Sequence, residues 1–262
     1  MAGAAAALLC LAASPAPSPV WKPIAPGLEF RALEGGSHCR RGSQLVAAVR
    51  VDPARRRLDI FHESETGPQS GSRLDIERWQ EKTGAAVIFN AGQYTPDRRH
   101  MGLFTRGTAS FGAQLKSAWK GLLLAGPGIS LLDLQHNPFN PASDKHEVRV
   151  QSFMLLDRDG RKRVRRSDWL ANRTIVGMTR DDRLMILVTE GGWTLWELAD
   201  WIARSDLGVR HAMSLDGGFE SQVAIRSGGF SYTSFGQYSV DDRGDHSIPG
   251  LRVTLPAVIA LF

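Results

Sequence analysis

The chain has 262 residues and only two cysteines, Cys10 and Cys39. Two thiols cannot build a disulfide framework, and no paired C-x-x-C offers zinc-site spacing. The one Cys beside a histidine is Cys39, next to His38; neighbours in sequence rarely point at each other, so a nucleophile pair is not expected there. No G-x-S-x-G elbow, P-loop or H-E-x-x-H is present, which removes the common signatures of serine hydrolases, nucleotide hydrolases and zinc proteases. The seven histidines are scattered. Only His211, five residues before an acid–glycine turn, sits near other polar candidates, and a structural role is the first expectation for it. No internal repeat or second composition regime divides the chain.

What the chain does have is positive charge: net +5, with a pI near 9.5. Such a balance favours acidic partners, such as phosphate-bearing sugars, anionic polymers or membrane surfaces. Much of it is concentrated in Arg55-Arg56-Arg57 and in the run from Arg161 to Arg166. The second run follows Asp157-Arg158-Asp159-Gly160 and reads as a solvated hairpin tip. No aromatics interleave with these cations as a single-strand groove requires, so nucleic acid is set aside as a partner.

The N-terminal stretch Met1 to Ser14 is apolar and ends in small residues, like a secretory signal, although no Lys or Arg precedes it. It is too short to cross a membrane as a mature helix. The Pro/Ser/Ala-rich stretch to Pro26 reads as a disordered leader. Residues 1–26 are therefore expected to be a signal-like leader, residues 27–262 one folded domain, and the protein periplasmic or secreted.

Within that domain, 45–51 and 58–61 read as strands joined at Asp52-Pro53. Residues 74–82 read as a helix that Ser72 can cap and Gly84 can end. Ala85 to Phe89 reads as a buried strand delivering Asn90-Ala91-Gly92 to a loop. Residues 126–145 are rich in Gly, Pro, Asn and Asp and read as a long surface loop. Residues 148–156, 174–178, 184–189 and 253–262 read as strands. Thr194-x-x-Glu197 is a capping box, and Leu195, Leu198, Ala199, Ile202 and Ala203 form one helical face that Gly208 ends. The pattern predicts an α+β fold, a single domain with a mixed or antiparallel sheet and flanking helices.

The chemistry-bearing residues fall at strand ends. Asn90 precedes Gly92 at one. Arg173-Thr174 opens another, where a guanidinium fork suits a phosphate or carboxylate. Glu190-Gly191-Gly192 closes a third, and Asp216-Gly217-Gly218 a fourth. Paired glycines let the backbone turn and approach a ligand closely. Converging at one edge, these groups would form a polar pocket; spacing alone leaves convergence open.

Taken in order, Phe89-Asn90-Ala91-Gly92, Gly102-Leu103, Val150 to Phe153, Asn172 to Gly177, Glu190-Gly191-Gly192-x-Thr194-Leu195-x-Glu197 and Leu215 to Gly218 resemble the phosphodiester glycosidase family. The resemblance covers roughly Ser72 to Phe262. It implies hydrolysis of a sugar-1-phosphodiester with release of the sugar and a phosphomonoester. Carried over, Asp216, Glu190 and Arg173 would be catalytic, with Asp216 and Glu190 as the carboxylate pair of glycoside chemistry. Arg173, aided by Thr174, would hold the phosphate. Asn90, Gly92, Gly217, Gly218 and Glu220 would contact substrate. Phe219-Glu220 departs from the family's small residue and serines, placing a bulky ring and a negative charge where a phosphate should sit. Two alternatives stand beside the glycosidase: a glycan or envelope-binding protein without catalysis, and a phosphodiesterase assisted by a divalent metal on Asp216, Glu190 and either Glu220 or His211. The first reading calls for no cofactor.

Overall fold

The structure is a computed structural model that describes residues 15–66 and 73–262. The signal-like stretch 1–14, with Cys10, and the expected helix cap Ser72 lie outside the described residues.

Two antiparallel sheets pack face to face. In the larger, strands Lys22–Ala25, Leu28–Glu34, Leu45–Val51, Leu184–Thr189, Thr174–Thr179, Val209–Ser214 and Val148–Leu156 lie side by side in that order. Phe104–Arg106 and Gly121–Ala125 both pair with Val148–Leu156, extending the sheet. The smaller sheet runs Phe230–Ser234, Val223–Ser227, Val87–Asn90, Ala257–Leu261, Leu58–His62. A short third sheet joins Leu170–Ala171 to Ser239–Asp241 and Gly244–Asp245.

Side chains alternate across each strand, so each sheet has an inner and an outer face. Ala47, Val49, Val176, Ile186 and Val188 of the large sheet meet Ile60, Val87, Phe89, Ile225 and Ile259 of the small one in the central core. On the outer face of the large sheet, Val46, Ala48, Ile175 and Leu187 pack with Leu198, Ala199 and Ile202 of helix Leu195–Arg204. On the outer face of the small sheet, Ile88, Ala224 and Val258 pack with Ile76 and Trp79 of helix Ile76–Thr83. Burial on both faces explains why these strands read as continuous apolar runs and not as alternating ones.

This architecture overturns the expected α+β class. The protein is mostly β, in several antiparallel sheets, and the described residues contain only two α-helices. Capping boxes and helical periodicity make a helix conspicuous in sequence. Strands of two to five residues, such as Ala109–Ser110 and Ile129–Asp133, carry too few residues to register.

Other expectations need correction. The proposed loop 126–145 contains strand Ile129–Asp133, which forms a hairpin with Gly121–Ala125. Strands Leu45–Val51 and Leu58–His62 are joined by a turn as expected, and they belong to opposite sheets. The first helix is capped by the Asp75 carboxylate on Arg78 N–H, and Gly84 ends it with φ of 67° as expected. The second is capped by Thr194, as its sequence indicates, but stops at Ser205, before Gly208. The last strand is Ala257–Leu261, shorter than 253–262.

Candidate active site

One end of the sandwich gathers the strand-end groups. Thr174 opens its strand beside Val188, and Ser214 lies opposite Ile175. Asn90 closes the neighbouring strand of the other sheet opposite Val258. The segments after Ser214 and after Asn90 therefore emerge side by side, and Asp216 N–H donates to Ala91 O at 3.3 Å.

A buried polar knot ties the sheets together there. Asn90 is 1% exposed and Thr174 wholly buried. Thr174 Oγ1 donates to Asn90 Oδ1 at 2.7 Å and lies 2.8 Å from Ser221 Oγ. Asn90 Oδ1 also accepts from Gln222 N–H, and its amide donates to Ala91 O and Asp216 O. Asn90 and Thr174 thus spend their polar atoms on the protein and set the path of the chain through Asp216. Gly217 N–H is bonded to the Asp216 carboxylate at 2.9 Å and Gly218 N–H to Asn172 O at 3.0 Å, so these amides too are engaged within the loop.

Asp216, Glu220 and Arg173 form the charged centre. Burial, and after it the Glu220 charge, raise the Asp216 carboxyl to about 7 against the opposing pull of Gly217 N–H and Arg173. Arg173 is 7% exposed. Its Nε donates to Trp193 O at 3.0 Å and its Nη2 to Trp169 O at 2.8 Å, which fixes the plane of the guanidinium. Nη1 lies beside Gly217, where a β-carbon would come within 3.3 Å of it. Burial lowers the Arg173 pKa to about 10, with Asp216 opposing, so the cation persists at neutral pH. Gly218 takes φ of +69° and starts the short 3-10 turn Gly218–Glu220. That turn brings Glu220 back toward Asp216, and Tyr94 Oη donates to Glu220 Oε1 at 2.9 Å. Burial and the Glu220 charge raise the Tyr94 phenol, keeping it a donor. Arg98, held bidentately on Glu63, lies over the Tyr94 ring at 5.8 Å.

Glu190 is placed differently. Its carboxylate accepts from Ser43 Oγ and from Tyr232 Oη, each at 2.8 Å. Asp216's electrostatic neighbours are Glu220 and Arg173. The carboxylates that the structure sets together are Asp216 and Glu220. Gly92 faces His100: a β-carbon there would sit 2.5 Å from His100 Nε2. His100 is buried against Phe104, and burial lowers it to about 4, so it is neutral at pH 7. Neither Tyr94 nor His100 stands out in the sequence as a site residue. Tyr94 follows the Asn90-Ala91-Gly92 loop by two residues, and that proximity was the only signal.

Other candidates lie elsewhere. His211 is at the opposite end, with Nε2 2.7 Å from Leu131 O. Cys39 is buried with its thiol raised by desolvation and donating to Arg41 O and Ser43 O, an unreactive setting. Among the described residues, no group of three or more His, Cys, Asp or Glu side chains is placed to hold a metal ion. No helix among them is long and apolar enough to cross a membrane.

A profile of the phosphodiester glycosidase family matches residues 83–249, a span that includes every residue of the charged centre. The fold is similar to the catalytic domain of zebrafish N-acetylglucosamine-1-phosphodiester α-N-acetylglucosaminidase, auto-inhibited by its pro-peptide. The TM-score is 0.57 at 18% identity, over 90% of this chain and 83% of that one. It is also similar to a hypothetical protein from Synechocystis, with a TM-score of 0.62 at 13% identity, over 94% of this chain but 64% of that one. No curated protein matches the chain by sequence.

Proposed function

The chain belongs to the phosphodiester glycosidase family, and from that membership we propose that it hydrolyses a sugar-1-phosphodiester in a glycan or envelope polysaccharide. The observation that carries the reading is the Asp216 carboxyl, raised to about 7 between Glu220 and Arg173. A carboxyl about half protonated at neutral pH is suited to general-acid work. Its pKa is close to that of the group it would serve, since a phosphomonoester has a second pKa near about 6.

In this mechanism Arg173 Nη1 neutralises the phosphate of the bound diester. Water attacks the anomeric carbon and gives its proton to Glu220, which Tyr94 holds in place. The bond from the anomeric carbon to the phosphate oxygen breaks, and its electron pair leaves with that oxygen. Asp216 delivers its proton there. The products are the free sugar and a phosphomonoester. Proton return from Glu220 to Asp216 through solvent restores the resting state. Glu190, bonded to Ser43 and Tyr232, ties the two sheets together.

Export to the periplasm or outside belongs to the same proposal, on the strength of the apolar leader sequence. Cell fractionation of the full chain tests that part: recovery in the cytoplasmic fraction would overturn it.

The catalytic proposal is tested with Asp216→Asn on two substrates. With an alkyl sugar-1-phosphodiester the variant should lose about 10²- to 10⁴-fold in kcat. With a glycosyl fluoride, whose leaving group needs far less protonation, most of the loss should disappear. Equal losses on both would remove Asp216 from the acid role, and an inactive wild type across a diester panel would favour a binding protein.

A further inference from the structure

The basic run from Arg161 to Arg166 is two regions. Arg158, Arg161 and Arg163 face Asp159 or Asp157 at 3.7–4.0 Å and are locally balanced. The second region is not. Arg165 is exposed and has no ion-pair partner among the described residues. Arg166 is exposed and meets only the Trp196 ring, at 5.0 Å. Lys162, anchored on Asp200 at 2.8 Å, covers the same ring at 3.9 Å.

This strip leads into the charged centre. Three residues beyond Arg166 is Trp169, 47% exposed and one of four large exposed hydrophobics among the described residues. Three residues span at most about 11 Å of chain. The carbonyl of Trp169 holds Arg173 Nη2, and the Arg173 guanidinium lies 5.8 Å from its ring. Trp193, whose carbonyl holds Arg173 Nε, is three residues before Trp196. Arg173, Trp169, Arg166 and Arg165 thus lie close along one segment, Arg173 buried and the other three exposed. Of the carboxylates nearby, Asp168 faces Arg40 at 3.7 Å and Asp200 holds Lys162 at 2.8 Å.

We propose that the site continues over Trp169 and along Arg166 and Arg165 as a subsite for the next unit of a glycan built from repeating sugar-1-phosphate diesters. The proposal rests on the glycosidase reading for the bond that is cut, and goes beyond it in naming a polymeric substrate. An exposed indole presents a flat apolar face to a sugar ring. Two unpaired guanidinium groups further on meet the phosphate that such a polymer carries at every repeat. A neutral glycan would leave these cations unused.

The test compares a single-unit diester with a short synthetic poly(glycosyl 1-phosphate), measuring both turnover and direct polymer binding. In Arg165→Glu/Arg166→Glu, the ratio of polymer to single-unit kcat/KM should fall about tenfold, and polymer binding should lose its salt sensitivity. Trp169→Ala should raise KM for the polymer more than for the single unit, and Trp169→Phe should restore much of the difference. A ratio and a binding affinity unchanged in both sets would overturn the subsite. So would equal competition by a carboxylate polysaccharide of matched charge, because it would remove the phosphate preference. If neither substrate is turned over but the polymer binds through Arg165 and Arg166, the subsite stands and the glycosidase reading falls.

Discussion

At one end of the sandwich, Arg173, Asp216 and Glu220 meet in buried or half-buried positions, and no partner fully neutralises any of them. At the other end, Arg183 pairs with Asp52 and Arg210 with Asp182, each at 3.2 Å and in contact with solvent. Those pairs line a cavity of about 900 Å³ along with His211 and Leu131. The two ends use the same residue types. Where arginine and aspartate lie in the open, water and each other satisfy them, and such pairs contribute ~0–1 kcal/mol. Where they are held out of water by the Asn90–Thr174–Ser221 knot, their proton affinities move. The cavity holds solvated pairs and the charged centre desolvated ones, and proton affinity follows desolvation and not volume.

The sharpest way to break this comparison is to make one substitution at both ends. Arg173→Lys removes the fork that Trp169 O and Trp193 O aim, and should cost about 10²- to 10³-fold in kcat. Arg210→Lys should stay within about twofold. Similar losses at both ends, measured on one diester substrate, would show that the cavity takes part in catalysis. Next in size is the knot. Thr174→Val leaves Asn90 Oδ1 with Gln222 N–H alone and removes the acceptor for the Ser221 hydroxyl, and should cost about 1–3 kcal/mol. Thermal melting should fall by several degrees, whereas Arg210→Ala should shift the melt by about a degree or less.

The smallest effect is set by pH. Asp216 has a folded pKa of about 7, above its ordinary value of 3.8. The native state therefore binds the extra proton between these values, and this contribution to stability is lost as pH rises through about 7. Asp216→Asn resembles the protonated form, so its melting temperature should differ little from wild type at about pH 3.5, and its advantage should grow as pH rises to about 8. A difference independent of pH would contradict the raised carboxyl. Glu220→Gln removes the neighbouring charge and should move the Asp216 titration, followed by carboxyl NMR without substrate, to lower pH, while kcat falls because the base is lost.

Parts of this molecule were legible before any coordinates. The capping box at Thr194, the αL stop at Gly84 and the strand Val148–Leu156 follow from local chemistry, and the structure contains each of them. The ordered series of strand-end motifs identified the family because each is a contiguous segment. The fold class was misread because short, doubly buried strands have no period of their own, while two helices with clear caps announce themselves.

The roles within the site divide in the same way. Sequence alone determined that Arg173, Glu190 and Asp216 stand at strand ends, the two acids beside paired glycines, with Glu220 four residues after Asp216, because turn chemistry is local. Only the tertiary structure decided which carboxylates meet. Glu190 is drawn to Ser43 and Tyr232, the latter contributed by the other sheet. Glu220 is returned to Asp216 by the left-handed Gly218 and held there by Tyr94, 126 residues away in sequence. Desolvation and charge depend on distances between segments far apart in the chain, so a carboxyl raised to about 7 is a property of the packed sandwich and of no single segment.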